Sequence, residues 1–220
     1  MNENELLTTL RERLFTAVVG DVMDKAGLRH QFLPPQIRPI APDAVVAGRA
    51  MPVAIADVDF RAVEADPFGL MFRALDDLKP GEVYIASGAS PTYALWGGLM
   101  SGRAQRLGAA GGVFDGFHRD TPEILRLGFP VFSYGGYAQD QRGRGRVTGF
   151  RIPITFSNGV RVAPGDIVFG DVDGVLVIPS SDAGDIIQAA LAKVDGESGV
   201  RRMIDAGERT EEIFAKTGIM

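Results

Sequence analysis

Residues 97–136, GGLMSGRAQRLGAAGGVFDGFHRDTPEILRLGFPVFSYGG, decide how this chain folds. Gly98 to Leu107 reads as a short helix and GGVFD (111–115) as a strand. Pro122 to Leu127 reads as a second helix and FPVFSYG (129–135) as a second strand, with glycines where the chain must turn. Immediately upstream, KPGEVYIASG (79–88) places a Pro80-Gly81 turn before a buried strand, Val83 to Ala86. The order βαβαβ predicts an α/β layer with neighbouring strands parallel.

On the amino-terminal side, residues 60–78 look helical, and GRAMPVAIADV, Gly48 to Val58, alternates like a strand. LPPQIRPIAP (33–42) is proline-punctuated coil. Residues 5–28 space their apolar side chains at three and four, which predicts one or two helices ending at Gly27. On the carboxyl side, short strands gather around turns at Asn158-Gly159, Pro164-Gly165 and Asp173-Gly174. A helix of about twenty residues follows from Ser181, with Gly196 and Gly199 as expected points of breakage or kinking. No internal repeat or low-complexity linker divides residues 1–220, so a single domain is expected.

Composition narrows the function. The 220 residues are 45% hydrophobic and 23% charged, enough for one sizeable core. The first residues carry no basic stretch leading into an apolar run, and no segment approaches a membrane span, so a cytoplasmic location is expected. The chain has no cysteine, which excludes disulfides, thiolate catalysis and sulfur-ligated zinc. Net charge is -5 and the arginines are scattered, which argues against nucleic acid as a partner. Phosphate-loop, dinucleotide, zincin and serine-hydrolase motifs have no usable match.

Chemistry concentrates at Arg119-Asp120-x-x-Glu123. The strand before it ends at Asp115-Gly116, so the cluster falls at a strand's carboxyl end, where ligands collect in open α/β sheets. Asp120 and Glu123, three apart across a helix start, form a hard oxygen pair suited to Mg²⁺ or Mn²⁺. The same spacing also describes a capping box, with acids satisfying a helix N-terminus. Arg119 fits either a structural ion pair or a substrate carboxylate. Upstream, Gly97 and Gly98 allow close backbone approach, and the amides of Leu99 and Met100 open a helix that can face an anion.

Taken together, Gly98, twenty residues, Arg119-Asp120, two residues and Glu123 resemble the metal-dependent class II pyruvate aldolases. That family includes 4-hydroxy-4-methyl-2-oxoglutarate aldolase and is similar to the regulator of ribonuclease activity A. Its pattern is either Asp-x20-Arg-Asp or Gly-x20-Arg-Asp-x2-Glu/Asp, and this chain matches the second form, with Glu123 replacing the acid absent at position 98. The resemblance extends to FTAVVGDVMDKAG (15–27), LPPQIRPIAP, the turns PGD (164–166) and DVDGVLVIP (171–179), and Glu197-x-x-x-Arg201.

The resemblance implies a swivelling β/β/α-type α/β fold with N-terminal helices and a C-terminal helix. It also implies assembly as a homotrimer or homohexamer with intersubunit active sites. Asp120 and Glu123 would hold a divalent cation, Mg²⁺ or Mn²⁺. Arg119 and the amides of Gly98, Leu99 and Met100 would bind the pyruvyl group, and Glu197 would match a glutamate supplied by a neighbouring subunit. The implied activity is cleavage of 4-hydroxy-2-oxo acids to pyruvate, with oxaloacetate decarboxylation through the same enolate. The four lysines, Lys25, Lys79, Lys193 and Lys216, lie outside the motif, which disfavours a Schiff base. His118 is read as packing or a hydrogen bond in preference to an acid-base role, and Arg142–Arg146 as a solvated basic loop or a contact for a second substrate carboxylate. A non-catalytic, protein-docking regulator is the competing class.

Overall fold

The computed structural model describes residues 3–59 and 66–219. The expected parallel run is present. Strand β2 (Val46–Asp57) pairs in parallel with β3 (Glu82–Ser87), β3 with β5 (Gly111–Phe114), and β5 with β7 (Val131–Ser133). Helix α4 (Gly98–Arg106) crosses from β3 to β5, and α5 (Thr121–Leu127) from β5 to β7. The carboxyl-terminal third adds the antiparallel hairpin β11 (Ile167–Asp171) and β12 (Gly174–Ile178).

Strand β2 is long enough to serve three neighbours. Its first residues pair antiparallel with β11, and its last with β8 (Gly145–Phe150), after a register shift between Ala54 and Ile55. The sheet order is β1-β7-β5-β3-β2-β11-β12, β1 being Arg38–Pro39. The segment before and including β1 nearly closes it. Leu33 N–H donates to Val175 O (2.9 Å) and Val177 N–H to Gln31 O (2.9 Å) at one edge, while Arg38 and Pro39 pair with β7 at the other.

Both faces of the sheet are covered, and the period-2 alternation of the strands sorts side chains between them. Phe169, Leu176 and Ile178 pack under α1 (Glu3–Arg13), α2 (Thr16–Lys25) and α6 (Ala183–Asp205). Val168, Val175, Val177, Val83 and Ile85 face the opposite side, under the small hairpin β9 (Ile154–Thr155) and β10 (Arg161–Val162). A third cluster, built on Tyr84, Trp96 and Phe114, lies beneath α3 (Met71–Asp76), α4 and α5. Trp96 and Phe114 stack there at 4.8 Å. A further helix, α7 (Thr210–Thr217), follows α6.

Two expectations change. The helix expected over residues 60–78 is only α3, six residues long; residues 60–65 lie outside the described set. Helix α6 runs unbroken through Gly196 and Gly199. A Cβ at Gly196 would sit 3.0 Å from Ile219 Cδ1, so that glycine gives the chain end room to pack against the helix. Among the described residues, no helix is long and apolar enough to cross a membrane.

Candidate active site

Two very short strands explain the twenty-residue spacing of the motif. β4 (Ala94–Trp96) precedes α4, β6 (Phe117–His118) precedes α5, and the two pair in parallel with Trp96 opposite His118. Arg119 N–H then donates to Trp96 O (2.9 Å). This pairing sets Gly97-Gly98 directly beside Arg119-Asp120. The start of α4 is fixed from beneath, since Trp96 Nε1 donates to Ser101 Oγ (2.6 Å), which donates to Gly97 O (3.0 Å).

Asp120 has φ 61 and ψ 35, the left-handed region that non-glycine residues seldom adopt. It occupies the N-cap position of α5, yet its side chain makes no capping bond. Its Oδ2 instead accepts from Gly98 N–H at 3.1 Å. The capping-box interpretation of Asp120 and Glu123 therefore does not describe this helix start. The twisted backbone turns the carboxylate away from its own helix and toward α4.

The two glycines owe their place to these acids. A Cβ at Gly97 would lie 2.8 Å from Asp120 Oδ2, and one at Gly98 would lie 2.1 Å from Glu123 Oε2 and 2.4 Å from Glu123 Cδ. The Glu123 carboxylate thus fills the space that a side chain at position 98 would take. Gly98 N–H is already engaged by Asp120, so of the three amides expected to meet an anion, Leu99 and Met100 have no acceptor among the described residues.

Arg119 lies between two acids, with Nε 3.8 Å from Asp120 Oδ2 and Nη1 3.4 Å from Asp140 Oδ1. All three side chains are about two-fifths exposed, so these long pairs contribute little stability and leave the guanidinium accessible. Asp140 was not anticipated from the sequence; only its place next to the Arg142–Arg146 run marked the segment. Arg144 Nη1 donates to Asp140 O and to Arg142 O, both 3.3 Å, and Arg146 pairs with Asp66 at 3.3 Å.

Arg119, Asp120, Asp140 and Gln141 line one side of a cavity of about 170 Å³, with Gly97, Leu99 and Met100 at the α4 end. A volume near 150 Å³ accepts a guest the size of benzene, so a small metabolite fits. No described lysine lines this cavity. Two carboxylates suit a cation that keeps much of its water, as Mg²⁺ does, and no cluster of three or more His, Cys, Asp or Glu able to hold a metal occurs among the described residues. Glu197 is elsewhere, on α6, 3.9 Å from Lys193. Within one chain it is not brought to the motif.

His118 is a structural residue. It is 2% exposed, with Nδ1 2.7 Å from Ser133 Oγ and Nε2 2.8 Å from Thr121 Oγ1, so it ties β6 to β7 and to the first residue of α5. Burial lowers its pKa from 6.5, against the opposing pull of the Asp120 charge. A depressed imidazole pKa means the unfolded chain binds the proton more readily. Its contribution to stability is therefore complete above pH 6.5 and is lost as pH falls toward the folded-state value. His118→Gln is expected to lower the melting temperature at pH 7.5 by leaving hydroxyl partners under-bonded, a cost of roughly 1–3 kcal/mol. It should also flatten the decline of melting temperature between pH 7 and 5.5. An unchanged slope in thermal scans would remove His118 as its source.

Asp115 anchors the neighbouring strand end. Oδ2 accepts from Ser87 Oγ (2.8 Å) and Ser157 N–H (2.7 Å), and Oδ1 from Tyr134 Oη (2.6 Å) and Ser157 Oγ (2.9 Å). Burial and the bond to Asp115 push the Tyr134 phenol up to about 12.

Comparison with known proteins identifies the family and the fold. The RraA-like (Aldolase/RraA) family model matches residues 16–177. A protein of Halalkalibacterium halodurans named "Putative 4-hydroxy-4-methyl-2-oxoglutarate aldolase" is 32% identical over 192 residues, 86% of this chain and 85% of that protein. The crystal structure of an uncharacterised protein from Pseudomonas syringae pv. tomato superimposes with a TM-score of 0.86 at 24% identity, covering 98% of this chain and 95% of the other. Streptomyces coelicolor RraAS2, described as an unusual member of the RNase ES inhibitor RraA protein family, gives a TM-score of 0.80 at 24% identity over 92% and 99% of the two chains. With a mixed α/β fold, the motif in place and most of its length matched, the chain belongs to the RraA-like family.

Proposed function

We propose that this protein is a divalent-cation-dependent class II pyruvate aldolase. It cleaves 4-hydroxy-2-oxo acids of the 4-hydroxy-4-methyl-2-oxoglutarate type to pyruvate plus a 2-oxo acid or aldehyde, and it also decarboxylates oxaloacetate. The observation that carries this reading is that Gly98 meets both acids, Glu123 in the space its side chain would take and Asp120 on its N–H, while Asp120 and Arg119 line a cavity whose wall includes the flanking Gly97 and Leu99. A module that only docks proteins has no need to twist Asp120 into the left-handed region to aim its carboxylate at the start of α4.

Asp120 and Glu123 would hold Mg²⁺ or Mn²⁺, which supplies Lewis-acid stabilisation of negative charge on the 2-oxo group. Arg119 binds the pyruvyl end and offsets the charge that gathers there as the C3–C4 bond breaks. The free amides of Leu99 and Met100 add donors on the α4 side. Asp140 competes for Arg119 and keeps the guanidinium aligned across the cavity before substrate arrives. In a homotrimer or homohexamer, Glu197 of a neighbouring subunit completes the site.

Oxaloacetate, 4-hydroxy-4-methyl-2-oxoglutarate and 4-carboxy-4-hydroxy-2-oxoadipate, each coupled to pyruvate detection with Mg²⁺ or Mn²⁺, test this directly. Turnover that disappears in excess chelator and returns with the cation is expected. Full activity in chelator would overturn the metal assignment, and no turnover of any of the three would favour the regulator reading.

A further inference from the structure

Asp120 keeps a backbone conformation that side chains other than glycine's rarely allow, so the surrounding fold must hold it there. Backbone bonds secure the chain on each side of it separately. Before it, His118 N–H donates to Gly135 O (3.0 Å), Tyr137 N–H to His118 O (2.8 Å) and Arg119 N–H to Trp96 O (2.9 Å). After it, Glu123 N–H (2.9 Å) and Ile124 N–H (3.2 Å) donate to Asp120 O and close the first turn of α5. What spans the Arg119-Asp120 pair is a side-chain bond, His118 Nε2 to Thr121 Oγ1 at 2.8 Å.

His118 is the fixed end of that bond. The imidazole is buried, and its other nitrogen meets the equally buried Ser133 Oγ, which also accepts from Gly135 N–H at 3.1 Å. Thr121 is the end that needs holding. It is half-buried and opens α5, one residue past the N-cap, so its hydroxyl is not spent on capping the helix. Its Oγ1 has no other hydrogen-bond partner among the described residues. Gly136 leaves this hydroxyl its room, since a Cβ there would lie 3.2 Å from it. Without the bond, residue 120 is free to relax toward negative φ, which swings its carboxylate off Gly98 N–H.

We propose that His118 and Thr121 are positioning residues for Asp120, their bond bridging the left-handed backbone and keeping the carboxylate aimed at the start of α4. Neither side chain touches substrate or cation. The proposal rests on the reading of Asp120 as a cation ligand and extends it to a pair of side chains behind the motif. Groups that orient a metal ligand without binding the metal commonly change its affinity by about ten- to a hundredfold. A bond that only supports the fold would change melting and leave that affinity alone.

Thr121→Val keeps the shape of the side chain and removes the hydroxyl, whereas Thr121→Ser keeps the hydroxyl. Both are compared with the unchanged protein, well below melting, by Mn²⁺ titration calorimetry and by hydrogen exchange at Gly98 N–H, whose acceptor is Asp120 Oδ2. Thr121→Val is expected to weaken Mn²⁺ binding about tenfold or more and to speed exchange at Gly98, and Thr121→Ser to stay within about threefold of the unchanged protein in both. Thr121→Ala gives the same comparison if the valine variant folds poorly. A valine variant that melts lower yet keeps Mn²⁺ affinity and Gly98 exchange would make the bond a support of the fold alone and overturn the proposal. A serine variant as impaired as the valine one would overturn it too, because the hydroxyl would then not be the group that matters. If the unchanged protein binds no Mn²⁺, the cation reading fails, and exchange at Gly98 still decides whether the bond aims Asp120.

Discussion

Asp120→Ala is expected to reduce cation-dependent pyruvate release from oxaloacetate by about a thousandfold or more, and Arg119→Ala by roughly a hundred- to a thousandfold. The two losses differ in kind. Asp120 accepts from Gly98 N–H and is the proposed cation ligand, so its removal should abolish Mn²⁺ binding measured by titration calorimetry. Removing Arg119 should leave Mn²⁺ affinity nearly unchanged while pyruvate affinity falls. A folding defect is separable from a chemical one because Asp120 has φ 61. Alanine tolerates that conformation less well than aspartate, whereas glycine adopts it freely. Asp120→Gly should therefore melt above Asp120→Ala while being equally inactive. Retained turnover in a well-folded Asp120→Gly protein would exclude Asp120 from the chemistry.

The parallel β2-β3-β5-β7 run and both crossover helices were legible in the sequence, β2 from its alternating apolar residues and the others from apolar stretches that glycine or proline bounds. The pairing that builds the site was not. β4 and β6 are three and two residues long, too short for any periodicity, and what joins Trp96 to His118 is the tertiary position of the two strands they extend. Asp140 and Gln141 escaped notice for a related reason, since they reach the cavity from a loop whose arginines dominate its composition. The acids of the motif were legible as residues, but not their directions. Spacing alone describes a capping box and a cation site equally well. Only the left-handed backbone of Asp120 distinguishes them, and no side-chain pattern announces it. Glycines at 97 and 98 were expected to admit a ligand. In the structure the space they leave is taken by the Asp120 and Glu123 carboxylates.

Exchanging the acid between positions 98 and 123 gives the sharpest test of that arrangement. Gly98→Asp alone should be nearly inactive, because its Cβ would overlap Glu123, whose Oε2 is 2.1 Å away, and the displaced carboxylates would repel one another next to Asp120. Glu123→Ala alone should also lose at least a hundredfold in activity, since it leaves Asp120 as the single remaining acid of the pair. The double variant Gly98→Asp, Glu123→Ala places one carboxylate back in the same volume, reached from α4 instead of α5, and so converts this chain to the Asp-x20-Arg-Asp form. Activity well above either single variant, together with recovered Mn²⁺ binding, is the expected outcome. The coupling is favourable only if the two positions serve one location, because independent sites would make the two losses multiply. A double variant as inactive as that product predicts would mean that Glu123 fills the space beside Gly98 for packing, and that the cation takes its second ligand from another part of the assembly.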